Sequence, residues 1–576
     1  MKKTTSRVKA APPIPAPGIA GLKTGVPGFD TILAGGLPEF SFNLIAGSPG
    51  AGKTTLAQQI VFANATAERP ALYFTVLGEP TLKMLRYQRE FAFFKPSMVG
   101  KAIQFVNLSD EALKQDLQLV LDRIVAEVER AKPRIVVIDS IRTFIGRTRE
   151  SVPGSLMNID TFIQRLALHL TTWEVTSFLI GEYSEREQRD PVFTVADAVF
   201  WLSQVTDRQS VVRKFQVLKV RGRAPMPGLH TFRITDSGLQ IFPRIPEQQY
   251  QRRPQSVRRL ATGVPGLDEL MGGGVPAGDA LMLGGPAGSG KTTFATQFAA
   301  EGLRLGEAVV IVVFEEYPEE YLARAKARNQ HIDDMIDTDK LRLIYLRPLD
   351  LSVDETLAAI LEAVDEVRAR RVVIDSLSGF EVALAPAFRE DFRESLYRLV
   401  GALTATGVTI FMTTEIVGGY PDVRFTTEKV SFITDDIIVQ RFIEIDGVLR
   451  RVLAIYKMRG SAHSHDFVTY TITSQGAVMG GTLRKYRGIL TGIPSLQVGP
   501  AHDGHSGLTD SESLVLDAIV RLGTPSHALL ADRLGVEPSE LVQILERLET
   551  LGYTTETKGN GGGYRAVAQM WDSRGR

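Results

Sequence analysis

Two short runs carry the residue types needed to hold a triphosphate. Residues 47–54 read GSPGAGKT and residues 285–292 read GPAGSGKT, each fitting G-x-x-x-x-G-K-[ST]. Gly47, Gly50 and Gly52 in the first run, and Gly285, Gly288 and Gly290 in the second, allow backbone N–H groups to turn inward around a β-phosphate. Ser48, Ala51 and Thr55, and likewise Ser289 and Thr293, complete the two cradles, and the helix that follows each adds partial positive charge at its N-terminus. Lys53 and Lys291 would reach the β and γ oxygens of ATP, while the Thr54 and Thr292 hydroxyls would hold Mg²⁺. Asp139 and Asp375 each end a β-branched apolar run, which places a second oxygen ligand for that metal at the C-terminal edge of a buried strand.

Hydrolysis also needs a group that orients or deprotonates water. The stretch IVVFEEYP supplies Glu315 and Glu316, whereas its earlier equivalent YFTVLGEP supplies only Glu79 and places Gly78 opposite Glu315. The first site is therefore expected to be the weaker or altered hydrolase.

These residues recur because the chain is duplicated. TGVPGFD from Thr24 returns as TGVPGLD from Thr262, the phosphate loops are also 238 residues apart, and KVRG from Lys219 returns as KMRG from Lys457 at 238. The two aspartates are 236 apart. A period of this length marks a repeated domain rather than a solenoid, whose units run about 20–50 residues. Within each half, short apolar runs such as FNLIAG, ALYFTVL and RIVVID alternate with amphipathic stretches such as LKQDLQLVLDRIVAEVERA. That alternation predicts an α/β fold with a mostly parallel sheet covered by helices. The expected organisation is a tail over 1–20, a first nucleotide domain over 21–245, a linker over 246–260, a second domain over 261–495, a linker over 496–510 and a small module over 511–568.

Bulk properties narrow the classes. The chain has 576 residues, 44% hydrophobic and 23% charged residues, zero formal net charge and no cysteine. Thiolate chemistry, disulfides and a general polyanion coat are excluded, and a reducing compartment fits. No apolar run approaches the roughly 20 residues that cross a bilayer, so a cytoplasmic location without membrane contact is expected.

Residues 21–495 resemble the KaiC family of circadian-clock ATPases in the TGVPGhD opening, the two phosphate loops, FEE, the KxRG pairs and ITDDII. The resemblance implies two tandem RecA-like P-loop domains, a homohexamer of stacked rings, and ATP bound between neighbouring chains. Lys219 and Arg221, and Lys457 and Arg459, would then cover the γ-phosphate of the adjacent chain. It also implies Ser/Thr autokinase activity in the second domain. TTEKVSFITDD retains Thr426 and Ser431 as candidate acceptors but has Phe432 where the family carries its second main one.

The C-terminal module reads as three amphipathic helices and a Gly-rich hairpin, a winged-helix-like α+β pattern. Its third helix carries Glu537, Glu540, Glu546 and Glu549 against Arg547, a face that repels phosphate. A protein partner is expected over DNA. The alternative functions are an ATP-regulated DNA-binding regulator acting through this module and a RecA/RadA-type DNA-dependent ATPase.

Overall fold

The computed structural model describes residues 21–76, 81–113, 116–141, 157–184, 187, 190–207, 210–244, 258–330, 332, 334, 339–346, 351–389, 392–416, 433–445, 447–489, 495–496, 508–522, 525–534, 536–557 and 563–566. The tail, Glu79, Thr426, Ser431 and Phe432 lie outside them.

The first lobe is built from β1 (Phe42–Gly47), α1 (Lys53–Asn64), β2 (Ala71–Thr75), α2 (Thr81–Gln88), β3 (Ile103–Asn107), α3 (Leu117–Ala131), β4 (Ile135–Asp139), α4 (Ile159–Thr172), β5 (Thr176–Glu182), β6 (Ala198–Asp207), β7 (Ser210–Val220), β8 (His230–Thr235) and β9 (Gly238–Phe242). One nine-stranded sheet runs in the order β9-β8-β7-β6-β1-β5-β4-β2-β3. The six strands from β6 to β3 are parallel, and β7 to β9 extend the sheet antiparallel. Parallel strands covered on both faces need continuous apolar runs, and Ile135, Val136, Val137 and Ile138 are wholly buried. Helix α3 shows how the covering layer is encoded. Leu117, Val120, Leu121, Ile124 and Val128 recur on one face and are buried. The Asp116 carboxylate accepts from the N–H groups of Gln118 and Leu119 to cap its start, and Lys132 at φ 46° ends it.

The second lobe repeats this plan with β10 (Ala280–Gly285), α5 (Lys291–Arg304), β11 (Val309–Val313), α6 (Pro318–Lys326), β12 (Leu341–Tyr345), α7 (Val353–Val367), β13 (Arg371–Asp375), α8 (Leu377–Ala383), α9 (Phe392–Thr406), β14 (Thr409–Glu415), β15 (Asp436–Ile445), β16 (Val448–Met458), β17 (Val468–Thr473) and β18 (Gly476–Thr482). Its sheet order, β18-β17-β16-β15-β10-β14-β13-β11-β12, matches the first strand for strand. The lobes meet where β8 faces the start of α7. There the Thr231 and Ser352 hydroxyls are 2.8 Å apart, and Arg233 pairs with Glu355 at 2.5 Å.

A separate C-terminal unit holds α10 (Asp510–Leu522), α11 (His527–Leu534), α12 (Pro538–Thr550) and the hairpin β19 (Thr554–Thr557) and β20 (Gly563–Ala566). Leu541, Leu545 and Leu548 of α12 are buried against Val515, Ile519 and Leu530. Pro538 opens α12 at its first position, whereas Pro525 lies outside α11, ahead of Ser526, whose carbonyl accepts from the Leu530 N–H.

Candidate nucleotide sites

Each phosphate loop follows the central strand of its sheet and leads into a helix, β1 to α1 and β10 to α5. Gly52 and Gly290 stand at the helix N-caps with φ of 94° and 103°. A Cβ there would lie 2.7 Å from Ile234 Cδ1 in the first lobe and 2.3 Å from Ile472 Cδ1 in the second, contacts an isoleucine tip can yield to, so it is the left-handed conformation that calls for glycine.

The two lysines fold back over their own loops. Lys53 Nζ donates to the carbonyls of Gly47 at 3.1 Å and Ser48 at 2.7 Å; Lys291 Nζ donates to those of Gly285 at 2.9 Å and Pro286 at 3.0 Å. Burial holds both ammonium groups below the usual lysine range. Glu182 and then Asp139 oppose this at Lys53, and Glu415, Asp375 and Glu315 oppose it at Lys291.

The metal-ligand candidates come together in the first lobe, where Thr54 Oγ1 donates to Asp139 Oδ2 at 2.9 Å. The Tyr73 hydroxyl donates to the same oxygen at 2.8 Å. Burial raises the Asp139 carboxyl, while the Tyr73 and Thr54 hydrogen bonds and the Lys53 charge act the other way. In the second lobe Asp375 accepts instead from Thr413 Oγ1 at 2.5 Å. A hydroxyl and a carboxylate beside a phosphate cradle form a hard oxygen set that fits Mg²⁺, which commonly takes the rest of its shell from water and phosphate.

Glu315 and Glu316 emerge from the end of β11. The Ser376 hydroxyl donates to Glu315 Oε1 at 3.0 Å, immediately after Asp375. Glu316 is paired with Arg324 of α6, and burial raises its carboxyl against that cation.

Lys219, Arg221, Lys457 and Arg459 are not brought to the phosphate loop of their own lobe. Lys219 Nζ donates to the carbonyls of Phe193 at 3.0 Å and Thr194 at 3.2 Å, and Arg221 pairs with Asp197 at 3.1 Å. Lys457 Nζ donates to Thr434 O at 2.6 Å, and Arg459 approaches Asp435 at 3.4 Å. Asp435 is bonded to Ala280, the first residue of β10, whereas the phosphate loop leaves from Gly285. The intervening strand spans roughly 17 Å at about 3.3 Å per residue.

With both cradles and their acids in place, the chain was compared with known proteins. The family model "ATPase: KaiC" matches residues 22–245 and, a second time, residues 260–483. The chain belongs to the KaiC ATPase family. A "Circadian clock oscillator protein KaiC" of Rippkaea orientalis is 29% identical over 490 residues, covering 83% of this chain and 92% of that protein. "Circadian clock protein KaiC3" of a Synechocystis strain is 28% identical over 508 residues, covering 86% and 98%. The two KaiC ATPase domains are thus the two nine-stranded lobes, and nucleotide binding follows from the family.

Sequence reasoning missed four KaiC-domain residues around the cradles. Glu182 and Glu415 end the strands beside β1 and β10, paired in register with Gly47 and Gly285. Tyr73 and Thr413 approach the two aspartates from neighbouring strands. A recurring acid after each apolar run, GE and TE, was the available signal for the first pair.

Among the described residues no helix is long and apolar enough to cross a membrane.

Proposed function

We propose that this KaiC-family chain is a nucleotide-driven signalling switch of the clock type. It binds Mg-ATP in both lobes, hydrolyses it slowly with the second lobe dominant, and assembles as a homohexamer with ATP between neighbours. The observation that carries this reading is the position of the KxRG cations. They are held at the far end of each sheet from their own phosphate loop. They can serve a γ-phosphate only if it belongs to another copy of the chain, where a guanidinium and an ammonium would stabilise charge on the transferring phosphoryl group.

In the second lobe Lys291 would position the triphosphate, Thr292 and Asp375 would hold Mg²⁺, and Glu315 with Glu316 would orient the attacking water. Mg²⁺ would supply charge neutralisation on the β and γ oxygens. Phosphoryl transfer to the chain's own hydroxyls is the finer reading, with Ser431 and Thr426 as the acceptors suggested by sequence. The C-terminal unit is read as a protein-binding module because acids dominate α12.

Replacing Glu315 and Glu316 together by Gln should lower phosphate release about 100-fold while nucleotide binding persists. Light scattering should find a six-chain mass with Mg-ATP. Unchanged release would remove these two residues from the mechanism, and a monomer under those conditions would defeat the assembly.

A further inference from the structure

In the second lobe Glu315 stands two residues past Val313, which pairs with Asp375; two residues past Thr75, which pairs with Asp139, the first lobe has Leu77, so Glu79 falls opposite Tyr317 rather than Glu316. The first lobe nevertheless brings a different carboxylate to its cradle. Strand β5 lies between β1, which leads into the phosphate loop, and β4, which ends at Asp139. Its last residue, Glu182, pairs in parallel register with Gly47, one strand spacing of about 4.8 Å away. The next residue anchors this tip, because the Tyr183 N–H donates at 3.2 Å to the same Gly47 carbonyl that accepts from Lys53 Nζ at 3.1 Å. Glu182 is exposed above the sheet, and its carboxylate has no hydrogen-bond partner among the described residues. Of the carboxylates acting on the Lys53 ammonium, it is the foremost, ahead of Asp139.

We propose that Glu182 is the residue that activates water for ATP hydrolysis in the first lobe, so that the lobe lacking a counterpart of Glu315 still turns over nucleotide. This rests on the reading of the first cradle as an ATP site. Asp139 is engaged by Thr54 and Tyr73, whereas Glu182 sits beside the lysine that would mark the γ-phosphate and is free to accept a proton. The water oxygen forms a bond to the γ-phosphorus as the bond from that phosphorus to the β,γ-bridging oxygen breaks. ADP departs with that electron pair. The water proton passes to the Glu182 carboxylate and then to the released phosphate. Glu415 occupies the same register position against Gly285 in the second lobe, where Glu315 is also present, and there it acts as a supplement.

The test uses the full chain with Lys291→Ala, which confines turnover to the first lobe, and adds Glu182→Gln, an isosteric change at an exposed site. Phosphate release should fall at least tenfold, within the range for loss of a general base. Nucleotide recovered from the first lobe after acid quenching should change from mostly ADP to mostly ATP. Affinity for a fluorescent ATP analogue should be unchanged or a few-fold tighter, and Glu182→Asp should restore part of the turnover. A carboxylate that merely neutralised Lys53 would give tighter binding with unchanged release, and that result overturns the proposal. So does a Lys291→Ala parent that holds ATP in the first lobe without cleaving it. Failure of the parent to bind the analogue at all would instead defeat the ATP-site reading on which the proposal rests.

Discussion

The crest of the phosphate loop is packed by carbon in the first lobe and tied by hydrogen bonds in the second. Ala51, Leu202 and Phe232 belong to one buried apolar cluster. At the equivalent positions, each 238 residues on, stand Ser289, Gln440 and Tyr470. Ser289 Oγ donates to Gln440 Oε1 at 2.8 Å, and the Tyr470 hydroxyl donates to Ser289 O at 2.7 Å. Apolar contact is non-directional and tolerates small shifts, whereas directional hydrogen bonds hold a closer geometry. The second loop is therefore the more closely set, and it is also the one with paired acids beside it. Duplication preserved the sheet while the surroundings of the two cradles diverged.

The largest effect separating the lobes should come from their shared cations. Arg459→Ala should reduce second-lobe phosphate release by about 10³-fold. Arg221→Ala should lower total release far less, because the first lobe contributes the smaller share. Mixing Arg459→Ala chains with Lys291→Ala chains should recover activity, since a ring containing both pairs an intact cradle with an intact cation. Recovery that fails in mixed assemblies would show that Arg459 acts within its own chain and would remove the main support for shared sites.

Next in size is a difference in stability. At the start of β13 the second lobe buries Arg371 completely, with Nε 2.7 Å from Glu307 and Nη1 donating to Ala261 O at 2.7 Å and Phe298 O at 2.9 Å. The first lobe has Ile135 at that place. Glu307→Ala should cost about 3–5 kcal/mol in urea unfolding, because it strands a buried cation. Arg371→Ile combined with Glu307→Leu should be close to neutral, because no buried charge is then stranded. A mild loss from the single change would mean that the carbonyls and the Phe298 ring, whose centroid lies 4.4 Å from Arg371 Cζ, satisfy the guanidinium unaided.

How much of this was legible depends on how local each feature is. Both cradles, Asp139 and Asp375, and the two-lobed plan follow from residues close together in sequence, and the repeat spacing confirms their pairing. Glu182 was not legible as a site residue, because its place beside Gly47 depends on the register between β5 and β1, which are more than a hundred residues apart. Tyr73 reads as one more apolar residue of β2 until the fold sets its hydroxyl on Asp139. The position of the KxRG cations was likewise hidden, because a strand's sequence does not say which end of the sheet its last residues reach.

A pH-dependent contrast comes from the start of β15. Asp436 is buried, where the first lobe has Ala198, and burial beside Asp279 pushes its carboxyl up to about 7. Unfolded, that carboxyl ionises near its ordinary value of 3.8. Between the two values the folded chain retains a proton that the unfolded chain has lost, so stability falls as pH rises through this window and is level above it. Asp436→Asn should therefore stabilise the second lobe by on the order of 2 kcal/mol at pH 8, with the gain shrinking toward pH 4. Thermal unfolding at the two pH values tests the sign, and a gain independent of pH would mean that the carboxyl is not titrating there.

The smallest effect returns to the loop crest. Ser289→Ala removes the donor to Gln440 Oε1, leaving a buried acceptor at a residue with no exposed surface, which should cost about 1–2 kcal/mol and weaken nucleotide binding a few-fold. Adding Gln440→Leu brings the second lobe to the first lobe's pairing of Ala51 with Leu202, and most of the lost stability should return because no polar group is then stranded. Nucleotide affinity need not return with it, since the hydrogen bond that set the loop is still missing. If stability and affinity recover together, apolar packing holds the crest as closely as the hydrogen bonds do, and the contrast between the lobes must come from their acids alone.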